Sequence, residues 1–447
     1  MPADAAPTST APFDPVAHRK QIAANFRQSH IVWIALLYCA TGIAEATSNY
    51  ILPDTIHRFT QNAFVISVIL SMNPFFGFVA QPWAGWYSDR IWTRLGRRRP
   101  VIIVGALCLA LSCLGLPLAQ QQADHLGWLA PALRIFGRED VSMALAVVAV
   151  WNLVFQATVD IIAIMVRCII GDIVPQNYRG KAFAAANIVS VCMIFFTLRF
   201  GGVIASGGEL KWYLLVAGVA LLAVVPATLF LREPYVPPVN KTAGTKSGWR
   251  DYLQAIRETP YFFRMCLVIA FTFVAGQLIT NYYRLFTKEQ LNLGLDEALK
   301  PMSWMPVISF IASFPVGWFA DRVSHKIATM AGTLAFVAAG ATGVMADSIW
   351  DLRLLAIFTG CGFVCMEIAA NAYLISLMPA DRIGQLSGFA NIFRGGPRFL
   401  MFFGAGALIE LFGRNYRLAF GGAIVCGIVA FLILLRMPKV RPASTSS

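Results

Sequence analysis

The chain has 447 residues, of which 57% are hydrophobic and 13% charged, with a mean hydropathy of +0.64. A water-soluble chain of this length would form about three domains and carry about 25% charged residues, so lipid must solvate much of this apolar surface; disordered, collagen-like and disulfide-scaffold chains are excluded at the same step. The 36 basic against 23 acidic residues, a net +13, read in such a chain as Lys and Arg on cytoplasmic loops and not as a nucleic-acid surface.

Residues 1–30 begin with a Pro/Ala/Ser/Thr tract and turn basic at His18, Arg19, Lys20 and Arg27. Without a short apolar core or cleavage site they read as a disordered cytoplasmic tail and not as a signal peptide. Twelve apolar stretches follow, at 31–52, 63–87, 100–121, 141–170, 182–206, 212–231, 260–286, 301–320, 327–346, 352–378, 387–410 and 415–436. Each can cross about 30 Å of hydrocarbon as a helix. A Pro-rich basic linker, 232–259, separates a first six-helix bundle (31–231) from a second (260–436), and 437–447 form a C-terminal tail. With the N-terminus inside, and with residues near span ends counted with the adjoining segments, 22 basic residues fall on inner segments, 10 on outer loops and four (Arg167, Arg199, Arg394, Arg398) deep within spans. This asymmetry predicts a multi-pass protein of the plasma (inner) membrane with both termini cytoplasmic. The nine cysteines lie in apolar stretches without metal-ligand spacing and read as packing residues.

The halves repeat each other. PWAGWYSDR at 82–90 is echoed by PVGWFADR at 315–322, and Pro175, Arg179, Gly180 and Ala186-Asn187 are echoed by Pro379, Arg382, Gly384 and Ala390-Asn391. Two six-helix bundles related by an axis along the membrane normal follow from such a parallel repeat. The stretch Asn73 to Ile102, with Gly77, Gln81-Pro82, Gly85, Ser88-Asp89-Arg90, Arg94 and Gly96-Arg97-Arg98-Arg99-Pro100, resembles the helix 2/3 signature of the major facilitator superfamily. It is most similar to the form found in sucrose/proton symporters and in the glycoside-pentoside-hexuronide:cation symporters. The resemblance implies an all-α membrane protein, a secondary transporter without a cofactor, with spans 1, 4, 7 and 10 lining a central cavity.

The helix 2/3 turn is suited to a latch. Gly85 and Gly96 permit close approach and a tight turn, and Asp89, Arg90, Arg94, Arg97 and Arg98 can reach carboxylates such as Asp172. Asp321 and Arg322 repeat the pattern in the second half. These pairs are expected to hold the inner side shut in an outward-open state and to break in the transition.

Ionisable groups inside a bilayer cost at least about 2.5–3.5 kcal/mol each by insertion scales, so those present are functional candidates. The carboxylates are Glu45, Asp160 and Glu367. Asp160 stands twelve residues, about 18 Å, before the inner end of its span, close to mid-membrane, and forms one polar stripe with Gln156 and Arg167. In the resembling sucrose symporters the acid precedes the arginine by eleven positions, which here is Gln156; the acid has moved one turn. Span 2 lacks the paired carboxylates of the resembling sodium-coupled symporters, and no histidine lies in mid-membrane. A proton is therefore the expected coupling ion, carried by Asp160 first, then Glu45 and Glu367; the reading assumes that no fixed cation stands beside the acid.

Substrate candidates on the cavity spans are Asn49, Tyr50, Asn152, Gln156, Gln277, Asn281, Tyr282 and Asn371, amides and aromatics suited to a neutral sugar, together with Arg167, Arg394 and Arg398. Glu45/Asn49 and Glu367/Asn371 are i, i+4 pairs, which gives each acid an amide on its own face. The expected substrate is a disaccharide or glycoside. The rival readings are a hexuronide-like anion, which the intramembrane arginines favour, and proton-driven export. No P-loop, HExxH, GxSxG or dinucleotide motif points to an enzyme. The expected partners are a sugar, a proton and membrane lipids, without nucleic acid, and the protein is expected to act as a monomer.

Overall fold

A computed structural model describes residues 24–88, 93, 95–126, 142–175, 178–231, 233, 260–377 and 383–438. In lipid each backbone N–H and C=O must find its partner within the segment, which leaves the α-helix as the natural form of a long apolar run. The spans are α1 (Ser29–Tyr50, continued by Leu52–His57), α2 (Ala63–Leu70 and Met72–Ser88), α3 (Arg99–Gly115), α4 (Met143–Ile173), α5 (Arg179–Ser206) and α6 (Glu209–Phe230). The second set is α7 (Pro260–Glu289), α8 (Trp304–Arg322), α9 (His325–Val344), α10 (Ile349–Cys365 and Asn371–Ser376), α11 (Ile383–Leu411) and α12 (Arg417–Leu435). Ten of these are apolar and long enough to cross a membrane, or eleven if α3 and the short helix Ala119–His125, bent by 78°, count as one span. The remaining one, α11, carries Arg394, Pro397, Arg398 and Glu410.

Local chemistry explains the ends and breaks. Asn62 and Ser142 cap α2 and α4 by accepting from the N–H groups of Val65 and Leu145. Ser348 and Asp351 form a capping box at the start of α10. Pro117 follows α3, where its missing N–H cannot continue the helix. Inside α10 a π-turn spans Met366–Ala370, a distortion frequent at functional sites.

In the first half α1 packs on α5 and α6, α3 on α4 and α6, and α2 on α4; in the second, α7 packs on α11 and α12, α9 on α10 and α12, and α8 on α10. The halves meet along two long seams, α2 with α11, and α5 with α8 and the short helix Leu295–Met302, and also where α1 and its continuation pack on α7. Pro175 and Pro379 stand 204 positions apart, and so do Asn187 and Asn391, and Gly202 and Gly406. The last two glycines occupy equivalent places at the seams. A Cβ on Gly202 would lie 2.4 Å from Asp296 Cα, and one on Gly406 would lie 2.5 Å from Ser67 Cβ. Large apolar side chains such as Phe314, Leu222 and Val425 point outward, as the lipid-facing surface of a membrane bundle requires.

One end of the molecule is sealed between the halves. Asp54 pairs with Arg284 and Lys288, each at 2.9 Å, and Asp54 and Arg284 are both almost fully buried. His57 meets Glu289 at 2.5 Å, Tyr282 and Ser67 share a hydroxyl hydrogen bond of 2.7 Å, and Glu410 accepts from the Ala63 N–H at 2.7 Å. The opposite end carries the Gly96 turn. Arg284, near the end of its apolar stretch and counted with the outer segments, is buried in α7 against Asp54, a carboxylate from the continuation of α1.

Candidate functional site

The polar face of α4 presents Asn152, Gln156 and Asp160 at four-residue spacing, so all three point the same way. Their partners come from α1 and α2. Fully buried Gln156 donates to Ser48 Oγ at 2.7 Å and accepts from Asn73 Nδ2 at 2.9 Å. Asn152 donates to the Ile69 carbonyl at 2.8 Å. Asp160 Oδ1 accepts from Gln81 Nε2 at 2.6 Å, while its buried Oδ2 has no hydrogen-bond partner. Gly77 lies against this pair, where a Cβ would make ordinary contact at 3.6 Å from Asp160 Oδ1. Of the expected stripe of Gln156, Asp160 and Arg167, the first two share this face with Asn152 and are held by groups of α1 and α2. Ser48, Asn73 and Gln81 are not among the expected site residues; Asn73 and Gln81 stand only in the helix 2/3 signature.

The second half contributes cations to the same space. Arg398 Nη2 donates to Asn73 Oδ1 at 3.4 Å across the interface and lies close enough to act electrostatically on both Glu45 and Asp160. This corrects the premise of an acid with no fixed cation beside it, because the cation is supplied by α11, hundreds of positions away in the chain. Arg394 donates to Asn371 Oδ1 and stacks 5.4 Å over the Phe273 ring. The Nε groups of Arg394 and Arg398 are both buried without a hydrogen-bond partner. Asn371 donates to the Glu367 carbonyl at 2.8 Å and to its Oε2 at 3.3 Å, so the expected acid–amide pair of α10 forms even across the π-turn. Glu45 and Asn49 make no such bond.

Glu45 and Glu367, at mid-span, and Arg167, six residues before the end of α4, are solvent-accessible within the bundle. They face a central cavity. Arg167 acts electrostatically on Tyr38, and Arg167 and Arg398 both act on Glu45. Gln277 and Asn281 of α7 are buried, with Asn281 Nδ2 donating to Gln277 Oε1 at 2.6 Å; Asn49 is half-buried. Two expected substrate residues belong elsewhere. Tyr50 donates to Met305 Sδ at 3.6 Å and Tyr282 bonds Ser67, so both fully buried rings plug the sealed end. Arg199 also leaves the central site, lining a lateral crevice with Glu297, Lys300 and Arg353.

The Gly96 turn is built as a staple within one half. Arg97 and Arg98 both pair with Asp172 of α4, at 2.6 and 3.2 Å. Arg98 also donates to Ser88 Oγ. The Glu233 carboxylate, just beyond α6, accepts from the backbone N–H groups of Arg97, Arg98 and Arg99 at 2.9–3.2 Å and so caps the positive end of α3. These pairs are formed while the far end is sealed. The Asp172 pairs join α4 to the start of α3, both in the first half. Asp89, Arg90 and Arg94 lie outside the described residues; Gly85 falls within α2, and Asp321 and Arg322 end α8, with Arg322 over the Trp318 ring at 5.0 Å.

A comparison of the sequence with known families matches the Major Facilitator Superfamily over residues 34–402. The chain belongs to that superfamily. Among curated relatives of this facilitator, it is 26% identical over 226 residues to the general alpha-glucoside permease of Schizosaccharomyces pombe, covering 46% of this chain and 38% of that protein. It is 40% identical over 62 residues to the sucrose transport protein SUT5 of Oryza sativa subsp. indica, covering 14% of this chain and 12% of that protein. The matches thus reach well under two thirds of either relative. Among solved structures, the nucleoside transporter NupG superposes with a TM-score of 0.65 at 15% identity, covering 92% of this chain and 100% of that one. A D-xylose-proton symporter superposes with a TM-score of 0.65 at 13% identity, covering 92% and 98%. These likenesses establish the fold. The protein is a multi-pass membrane protein of the Major Facilitator Superfamily.

Proposed function

We propose that this facilitator is a symporter that couples proton movement to that of a sugar, a disaccharide or glycoside, by alternating access across the plasma (inner) membrane. Both termini lie in the cytoplasm in this reading, so the cavity opens inward. The observation that carries the proposal is Asp160: Oδ1 is held by Gln81, and buried Oδ2 is free to take a proton without breaking that bond. Arg398, attached to the other half, senses the charge of Asp160 and Glu45, which gives a physical route from protonation to movement of one half against the other. Amides and acids of both halves, Asn49, Gln277, Asn281, Glu367 and Asn371, supply the hydrogen-bonding groups that sugar hydroxyls need. The names of the two curated relatives agree with a glycoside or sucrose substrate.

A second reading, an anionic sugar or organic acid, is favoured by one specific feature. Arg394 and Arg398 are held by amide oxygens, Asn371 and Asn73, with a buried Nε spare on each; guanidiniums held this way keep their charge for a carboxylate ligand. The direction of transport follows the gradients, so the same site can serve export.

Uptake of sucrose, maltose and a glucuronide into proteoliposomes under an imposed pH gradient, with and without sodium, tests both readings. Neutral sugar accumulation that needs the pH gradient and is lost in Asp160→Asn is the expected result. Sodium-dependent, pH-insensitive uptake would overturn the proton assignment. Glucuronide uptake without neutral disaccharide uptake would select the second reading.

A further inference from the structure

A crevice of about 500 Å³ lies at the seam between α5 and the second half, near the sealed end. Arg199 of α5, Glu297 and Lys300 of the short helix Leu295–Met302, Trp304 of α8 and Arg353 of α10 line it. Three cations thus face one acid. Lys300 is committed to Asp296 at 2.5 Å, whereas Arg353 stacks 4.3 Å over Trp350 and Arg199 lies 5.8 Å from the Phe200 ring, contacts that leave their guanidinium N–H groups for a ligand. Phe200 and Val203 of α5 and Phe310 and Ile311 of α8 are exposed around it, so the crevice borders the surface that lipid tails cover. Trp304 and Trp350 are exposed at the ends of their helices, the level at which tryptophan meets headgroups. Arg199 stands seven residues, about 10.5 Å, before the end of α5, within snorkelling range of that level.

We propose that this crevice binds the phosphate of an anionic phospholipid headgroup, which bridges Arg199 of the first half and Arg353 of the second and so favours the conformation sealed at this end. Two guanidiniums offer forked donors to phosphate oxygens, and the acyl chains run down the exposed apolar faces of α5 and α8. The site is complete only when the halves close, because Gly202 of α5 must pack against the Asp296 backbone to bring the short helix beside Arg199. A ligand held by both halves stabilises that closed arrangement by its differential affinity.

Native mass spectrometry of the purified protein with phosphatidylglycerol, phosphatidylcholine or inorganic phosphate as probe tests the assignment. Each arginine near a lipid surface is worth about fivefold in affinity, so Arg199→Gln/Arg353→Gln is expected to weaken phosphatidylglycerol binding by roughly 25-fold. Glu297→Gln, which removes the opposing charge, is expected to tighten it by about fivefold and decides the matter if the double variant does not fold. Unchanged phosphatidylglycerol binding in both variants, or equal binding of phosphatidylcholine, would overturn the proposal. Inorganic phosphate binding that is lost in the double variant, without any preference for phosphatidylglycerol, would overturn the lipid as its source.

Discussion

Gly96 adopts φ 102°, and a Cβ there would lie 2.8 Å from Glu233 Cδ. Both facts follow from one requirement, that the chain turn tightly enough for three successive N–H groups to converge on one carboxylate. Gly96→Ala is therefore expected to cost about 1–3 kcal/mol through backbone strain and displacement of Glu233, read as a lower unfolding temperature. Gly218→Ala, where nothing lies within 4 Å of the new Cβ, should leave that temperature unchanged or slightly raised. The need for glycine at 96 was legible in the turn motif; Glu233 was not, because it lies beyond α6 and reaches the turn only through the packing of α3 on α6. Asp160 shows the same division. Its depth follows from counting along α4, whereas Gln81, which holds it, approaches from α2.

Helix ends and helix pairs carry the seal at the far end. Arg284 is a nearly buried cation whose charge is answered by Asp54. Removing one partner of a buried pair costs about 3–5 kcal/mol, since the other charge is left uncompensated. Asp54→Ala should thus shift the protein toward a conformation open at that end. A cysteine introduced at Ser67, which is fully buried in the seal, should become reactive to an impermeant maleimide added on that side when Asp54→Ala is present, in a background free of native cysteines. Unaltered labelling would show that the pair does not hold the gate. Hydropathy delimits α1 and α7 well but says little about such pairs, because a charge near a span end has the same cost in solvent as in a loop until a partner is brought to it.

For the molecule as a whole, Gly202 and Gly406 mark equivalent points of the two halves at the two seams. A larger side chain at either keeps the halves apart, and the closest approaches, 2.4 Å to Asp296 Cα and 2.5 Å to Ser67 Cβ, leave backbone or near-backbone atoms to move. Gly406→Val should therefore block closure of the far end: the protein remains folded and inserted, while transport is lost and the Ser67→Cys reporter becomes permanently accessible. Normal transport by Gly406→Val would mean that the seam is looser than its geometry indicates.

The sequence alone determined the helical class, the apolar runs that the structure shows as ten or eleven membrane-crossing helices among the described residues, and the local repeat of motifs along the chain. Each of these follows from periodicity or composition along the chain, which the solvent reads locally. It also singled out Asp160, Glu367 and the arginines of α11, because a charge in lipid is conspicuous wherever it stands. What only the tertiary structure decided is which of these groups share a space. Arg398 beside Asp160 and Glu45, Tyr50 and Tyr282 in the seal and not in the cavity, Arg199 in a lateral crevice, and Asp172 stapled to the turn within one half all depend on how helices pack. That packing is set by small residues and side-chain shape across elements far apart in the chain, and apolar contact energy is too non-directional to be read from any one of them.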